Sequence, residues 1–236
     1  MARVVLITGG TRGIGYAVAA ALLHAGDKVA VTGTTDDGVV KAEHALSSID
    51  GAQVTGIVCD VRDASSTELA VRTVVAKYGG IDVLVNSAGV GVGAPISDLP
   101  HDEWDRIIGT NLTGVFNCCK AAIPYLRSRG GGWIVNLSSL ASTNPFPGGA
   151  AYCASKAGLN AFSEALMQEL RYDNIRVTVI LPGSVATGFS GRESDSGADW
   201  KLHPEDVAQT IVDLLGHRAR SLPSRIEIRP SRPKRS

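Results

Sequence analysis

Short apolar runs recur along this chain at spacings that few folds accommodate. Residues 4–7 read Val-Val-Leu-Ile, apolar on both faces of an extended segment. Residues 29–31, 53–58, 81–85, 133–137 and 175–181 repeat the pattern. Strands buried on both faces belong to parallel sheets covered by helices on each side. Helical segments fall between the runs: 16–25, closed by Gly26, then 36–48, 63–78, 102–128, 151–171 and 204–216, the last opened by His203-Pro204-Glu205. A short strand at 226–228 follows. Strand–helix alternation with right-handed crossovers predicts an α/β chain, a doubly wound parallel sheet with helices on both faces. In such sheets ligands sit outside the carboxyl ends of the strands. Chemistry is therefore expected just after Ile7, Val31, Val58, Val85, Leu137 and Leu181.

Composition narrows the class. With 236 residues, the chain is long enough to bury a sizeable core without disulfide or metal staples. No linker or repeat interrupts it, so one domain is expected over 1–229, followed by a basic, flexible tail at 230–236. The 23 basic and 23 acidic residues cancel, which argues against a nucleic-acid partner. No apolar run approaches the ~18 residues of a membrane span, and an apolar strand from residue 3 leaves no room for a signal peptide. Cys59, Cys118, Cys119 and Cys153 form no CxxC pair and no metal-ligand spacing, as expected of buried, reduced thiols in the cytoplasm. No metal site is expected.

Gly9, Gly13 and Gly15 lie between the first strand and the first helix. A glycine turn lets backbone approach a pyrophosphate, and the helix N-terminus offers free N–H groups, here from Thr11 through Ile14. This context predicts a dinucleotide. NAD sites place a carboxylate at the end of the second strand. Here that stretch is 31–35, Val-Thr-Gly-Thr-Thr, and the first acids, Asp36 and Asp37, arrive late enough to start a helix instead. Arg12 in the glycine loop can reach a 2′-phosphate, and Thr34 can hydrogen-bond it without repulsion. NADP(H) is predicted over NAD(H), the latter remaining open. Further strand ends complete a groove: Asp60 and Val61, where Asp60 either meets the adenine amino group or caps the next helix; Asn86, Ala88 and Gly89, small enough for a flat ring system; and Pro182, Gly183, Val185 and Thr187, near a nicotinamide carboxamide.

Tyr152-Cys153-Ala154-Ser155-Lys156 puts a phenol and an ammonium on one helix face. The ammonium is expected to lower the phenol's pKa, suiting Tyr152 to exchange a proton with a carbonyl or alcohol oxygen. Ser138 and Ser139 end the fifth strand, where a hydroxyl can hold the substrate oxygen. Asn111 sits inside helix 102–128, a poor place for Asn, so a helix distortion or a held water is expected.

Together these residues resemble the short-chain dehydrogenase/reductase family, from Val4 to about Ile228. The resemblance rests on 8–15, 86–89, Asn111, Ser139, Tyr152 with Lys156, and Pro182-Gly183. It implies a Rossmann fold, with Tyr152 as general acid/base and Lys156 lowering its pKa and binding the nicotinamide ribose. Ser139, thirteen residues before the tyrosine, would orient the carbonyl, and Asn111 would hold a relay water. The glycine loop with Gly33-Thr34 looks most like NADP-dependent 3-oxoacyl-carrier-protein reductases and carbonyl reductases. Two departures stand out: Ser87 replaces the family's usual second Asn, and the chain lacks the Gly-Gly ending of the fatty-acid reductases. The expected activity is reversible carbonyl–alcohol interconversion with a small-molecule substrate. The alternatives are a 3-oxoacyl-thioester reductase, an epimerase or dehydratase, and a silent NADP(H)-binding regulator. A lid over 188–200, a pocket lined from 90–94 and 142–146, and a homodimer or homotetramer built on helices 102–128 and 151–171 are also expected; the apolar spacing at Ala157, Ala161, Ala165 and Leu166 suits such helix contact and core packing equally.

Overall fold

The computed structural model describes residues 2–91, 93–189 and 199–233. The apolar runs become seven strands: β1 (Val4–Thr8), β2 (Lys28–Gly33), β3 (Gln53–Val58), β4 (Val83–Asn86), β5 (Gly132–Leu137), β6 (Ile175–Pro182) and β7 (Arg225–Ile228). They form one parallel sheet in the order β3-β2-β1-β4-β5-β6-β7. Strand order reverses between β1 and β4, and that switch point opens a crevice at the carboxyl edge.

Among the described residues seven α-helices cover the sheet: α1 (Gly13–His24), α2 (Asp36–Ser47), α3 (Ala64–Tyr78), α4 (His101–Ile108), α5 (Gly114–Ser128), α6 (Ala150–Leu170) and α7 (Pro204–Leu215). Two apolar cores result, one on each face. Leu22 of α1, Leu46 of α2 and Ile211 of α7 pack on Val5, Ile7, Val29 and Val135. Val74 of α3, Leu126 of α5 and Leu159 of α6 pack on Leu6, Leu84 and Ile134 on the other side. Each such side chain, fully removed from water, contributes about 1.5–3 kcal/mol. Alternate residues of one strand thus feed opposite cores, which is why the runs carry no polar period.

Three expectations need correction. Residues 53–58 do not form a doubly buried strand: β3 is the sheet edge, and Val58 is 48% exposed. The segment 102–128 is not one α-helix, because a π-helical turn at Gly109–Thr113 separates α4 from α5. On α6, Ala157, Ala161 and Ala165 are exposed while Leu166 is buried, so core packing accounts only for the last. All four cysteines are buried and free. Among the described residues no helix is long and apolar enough to cross a membrane.

Candidate active site

The turn after β1 requires its glycines. Gly9 and Gly13 adopt φ of 64° and 56°, a left-handed backbone that side chains disfavour. A Cβ on Gly15 would press on the Gly9 carbonyl and lie 3.0 Å from Ser87 Oγ. Thr8 Oγ1 accepts from the Ser87 and Ala88 N–H groups at 3.1 and 3.2 Å, tying the ends of β1 and β4 together. α1 opens behind the loop with no side-chain cap and no acid in its first turn. Arg12 at its N-cap is exposed and Ile14 is half-buried. An uncapped helix N-terminus behind a glycine-rich turn fits a pyrophosphate.

The end of β2 carries no carboxylate. A Cβ on Gly33 would meet the Thr11 methyl at 2.6 Å, so Thr11 fills the space beside it. Thr34 is exposed next to it. Thr35 caps α2, and Asp36 and Asp37 lie in that helix's first turn, Asp37 paired with Lys41 at 2.8 Å. At the end of β3, Asp60 is clasped by Arg62, whose Nε and Nη2 approach its carboxylate at 3.0 and 2.6 Å. That clasp holds the Asp60 carboxyl below the usual range. The cap of α3 is Asp63, not Asp60. Val61 is buried against Gly114, and its carbonyl accepts from Asn117 at 2.9 Å.

Beyond β4, Asn86 turns its side chain away from the crevice. It is 2% exposed and donates to Asn136 Oδ1 at 2.8 Å; Asn136 donates to Ser163 Oγ at 2.9 Å, and Ser163 to the Leu159 carbonyl at 2.7 Å. This buried chain, unforeseen from the sequence, fastens α6 to the middle of the sheet. Ala88 and Gly89 remain on the crevice wall, with a Cβ on Gly89 lying 3.7 Å from Lys156 Nζ.

Tyr152 and Lys156 do share a face of α6. Lys156 Nζ lies 5.9 Å from the Tyr152 ring centroid and donates to the Leu137 carbonyl at 2.8 Å. Ser138 Oγ donates to the Lys156 carbonyl at 3.2 Å, which leaves Ser139 beside the phenol. Ser139 Oγ also accepts from the Ala141 N–H at 3.1 Å, fixing the turn after β5. Asn111, fully buried in the π-helical turn, accepts from the Val90 N–H at 2.8 Å. Its amide donates to the Val90 carbonyl at 2.9 Å and to Ser155 Oγ at 3.0 Å. Ser155 Oγ in turn donates to the Tyr152 carbonyl at 2.8 Å. Residues from β4, α4–α5, β5 and α6 therefore meet at one point, and Ser155 is the link the sequence did not reveal.

The electrostatics differ from expectation. Burial pushes the Tyr152 phenol above its ordinary pKa, and the Ser139 hydrogen bond pulls the other way more weakly. Burial also lowers the Lys156 ammonium to about 8. Desolvation of the charged forms decides both directions, in place of the ion–phenol attraction anticipated from spacing alone.

At the end of β6, Pro182 pairs with Ile228, and the Gly183 N–H is taken by the Ile228 carbonyl at 2.8 Å. Val185 bridges to Leu202, and Thr187 faces the glycine loop, its methyl 3.5 Å from a Cβ placed on Gly13. Phe189 stands 5.7 Å from the Tyr152 ring. Residues 190–198, most of the anticipated lid, lie outside the described residues, as do Val92 of the anticipated pocket and 234–236 of the tail. Ala94, at the end of the first pocket loop, donates its N–H to the Gly148 carbonyl at 3.0 Å, two residues beyond the second.

Comparison with known proteins places the chain in a family. Residues 3–197 match the short chain dehydrogenase family. The chain is 35% identical over 224 residues to the 3-oxoacyl-acyl-carrier-protein reductase FabG of Chlamydia muridarum, covering 91% of this chain and 90% of that protein. It is 39% identical over 227 residues to the D-threitol dehydrogenase of Mycolicibacterium smegmatis, covering 92% and 87%. Among solved structures, an alcohol dehydrogenase from Thermococcus sibiricus complexed with 5-hydroxy-NADP superposes with a TM-score of 0.92 at 29% identity, covering both chains fully. A metagenomic short-chain oxidoreductase in complex with NADP gives 0.85 at 31% identity, covering 98% of each chain. With the crevice, the tyrosine–lysine pair and relatives matched over nearly their whole length, the chain belongs to the short-chain dehydrogenase/reductase family of oxidoreductases, which act on CH–OH groups with a nicotinamide cofactor.

Proposed function

We propose that this protein interconverts a ketone or aldehyde with its alcohol, using NADP(H) in preference to NAD(H), with Tyr152 as general acid/base. The observation that carries this reading is the convergence of Ser139, Tyr152, Lys156 and Asn111 beside a glycine-lined crevice. A bound nicotinamide would supply or accept the hydride. Gly9, Gly13 and Gly15 leave room for its pyrophosphate, with Thr11, Arg12 and Ile14 at the helix N-terminus. Arg12 and Thr34 would meet a 2′-phosphate where Gly33 offers no carboxylate. Asp60 and Val61 would border the adenine, Ala88, Gly89 and Lys156 the ribose, and Pro182, Val185 and Thr187 the nicotinamide. Asn86 and Gly183 would contribute as scaffold, since the Asn86 amide and the Gly183 N–H are already engaged.

The Tyr152 phenol, kept protonated at neutral pH by burial, donates to the carbonyl oxygen during reduction and recovers a proton in the reverse direction. Ser139 Oγ holds that oxygen beside the phenol. Asn111 was expected to hold a relay water. Its side chain, bonded to Val90 and Ser155, also fixes the backbone that presents Tyr152, so the residue would serve both the water and the scaffold. A homo-oligomer using the exposed alanine stripe of α6 is part of the same reading.

The test is a carbonyl panel spanning 3-oxoacyl thioesters, aldehydes, cyclic ketones and polyol-derived ketones, followed by NADPH oxidation. Tyr152→Phe should reduce kcat by on the order of 10²–10⁴. Equal turnover by the two proteins removes Tyr152 from its role, and faster turnover with NADH removes the cofactor preference.

A further inference from the structure

A second concavity lies at the opposite, amino-terminal edge of the sheet. It is a cleft of about 260 Å³ whose walls carry Arg3, Arg129 and Arg176, with Trp133 as its floor. Arg3 precedes β1, Arg129 follows α5, and Arg176 stands on β6. The strand register therefore brings together three cations that sequence spacing scatters over more than 170 residues.

Two of the three are held by carboxylates. Arg3 grips Asp27 through Nη2 at 2.7 Å, and Arg129 Nε meets Asp82 at 2.8 Å. Both acids are further occupied by backbone: Asp27 accepts the Arg3 N–H at 3.0 Å, and Asp82 the Val4 N–H at 2.8 Å. Arg176 has no carboxylate partner among the described residues. Its guanidinium lies 3.8 Å from the Trp133 ring and donates to the His217 carbonyl at 3.2 Å. Trp133 is itself fixed: 2% exposed, its indole N–H donates to Thr178 Oγ1 at 3.0 Å, and Thr178 donates to the Pro223 carbonyl at 2.8 Å. A partly desolvated guanidinium without a counter-charge is costly unless an anion compensates it. Burial has already lowered the pKa of Arg176. Three arginines against Asp27 and Asp82 leave one positive charge at the cleft.

We propose that this cleft binds a small oxyanion, a phosphate or carboxylate group, with Arg176 as its principal ligand. The planar guanidinium suits such a group, and stacking on a fixed indole orients it in advance. The site is remote from Tyr152 and does not depend on the oxidoreductase reading.

Trp133 supplies the readout. The chain has three tryptophans, and Trp104→Phe with Trp200→Phe leaves Trp133 as the sole indole beneath Arg176. This protein is titrated with inorganic phosphate and, separately, with succinate, each against sodium chloride at matched ionic strength. A saturable fluorescence change with half-saturation on the order of 1 mM is expected for at least one anion, and the responding arm names the source. Arg176→Gln should weaken it at least tenfold, whereas Arg12→Ala, at the other edge of the sheet, should leave it intact. Should Arg176→Gln lower the melting midpoint, Arg176→Lys is read in its place and should weaken binding several-fold. No saturation beyond the chloride control overturns the proposal. So does binding unchanged by the substitution read at Arg176, or binding lost with Arg12→Ala.

Discussion

Lys156 offers a thermodynamic test of the reacting site that needs neither substrate nor cofactor. Its side chain is 5% exposed, and the Leu137 carbonyl at 2.8 Å is a neutral acceptor that compensates the ammonium only in part. Burial brings its pKa from 10.5 to about 8. The unfolded chain therefore binds more protons than the folded one between about pH 8 and 10.5, and stability contributed by this group rises with pH through that window. At about 1.4 kcal/mol per unit, the shift amounts to roughly 3 kcal/mol over the whole window, and 2–3 kcal/mol between pH 7 and 10. Burial of Cys59, Cys118 and Cys119 raises their pKa values and works in the opposite sense at alkaline pH. The measurement must therefore be a difference. Lys156→Met keeps the length and removes the charge. Urea unfolding of both proteins at pH 7 and 10 should show the stability of the variant relative to wild type falling by about 2–3 kcal/mol on going to pH 10. A relative stability that stays flat within about 0.5 kcal/mol would mean that the lysine is solvated in solution, and the description of a desolvated ammonium beneath Tyr152 would fail.

Two further outcomes follow from the same geometry. Gly15→Ala drives a methyl against the Gly9 carbonyl and Ser87 Oγ; it should cost about 1–3 kcal/mol, and NADPH should no longer raise the melting midpoint as it does in wild type. Asn111→Ala removes three hydrogen bonds from a fully buried position. Denaturant unfolding should show a loss of about 2–4 kcal/mol, because the Val90 N–H and carbonyl lose their partners.

The architecture was legible because its signal is local. Doubly apolar runs such as 4–7 and 133–137 can be satisfied only between two helical layers, and glycines at 9, 13 and 15 mark a turn where a left-handed φ or close backbone excludes side chains. The run at 53–58 misled because apolar content does not say whether a strand has neighbours on both sides, and β3 has only one. The oddity of Asn111 was visible as a propensity conflict inside a helix. The sequence could not show the form of the distortion, because the π-helical turn is tied through Asn111 to Val90 and Ser155, 21 and 44 residues away.

The spacing of Tyr152 and Lys156 places them on one helix face in any fold where 150–170 is helical, and so the pairing itself was settled by the chain. Their charge states were not. Those depend on how completely β5 and the π-helical turn exclude water from the pair, and desolvation is a property of the assembled layers. The amino-terminal arginine cleft is of the same kind: Arg3, Arg129 and Arg176 become neighbours only when parallel pairing sets the starts of β1, β4, β5 and β6 in one row.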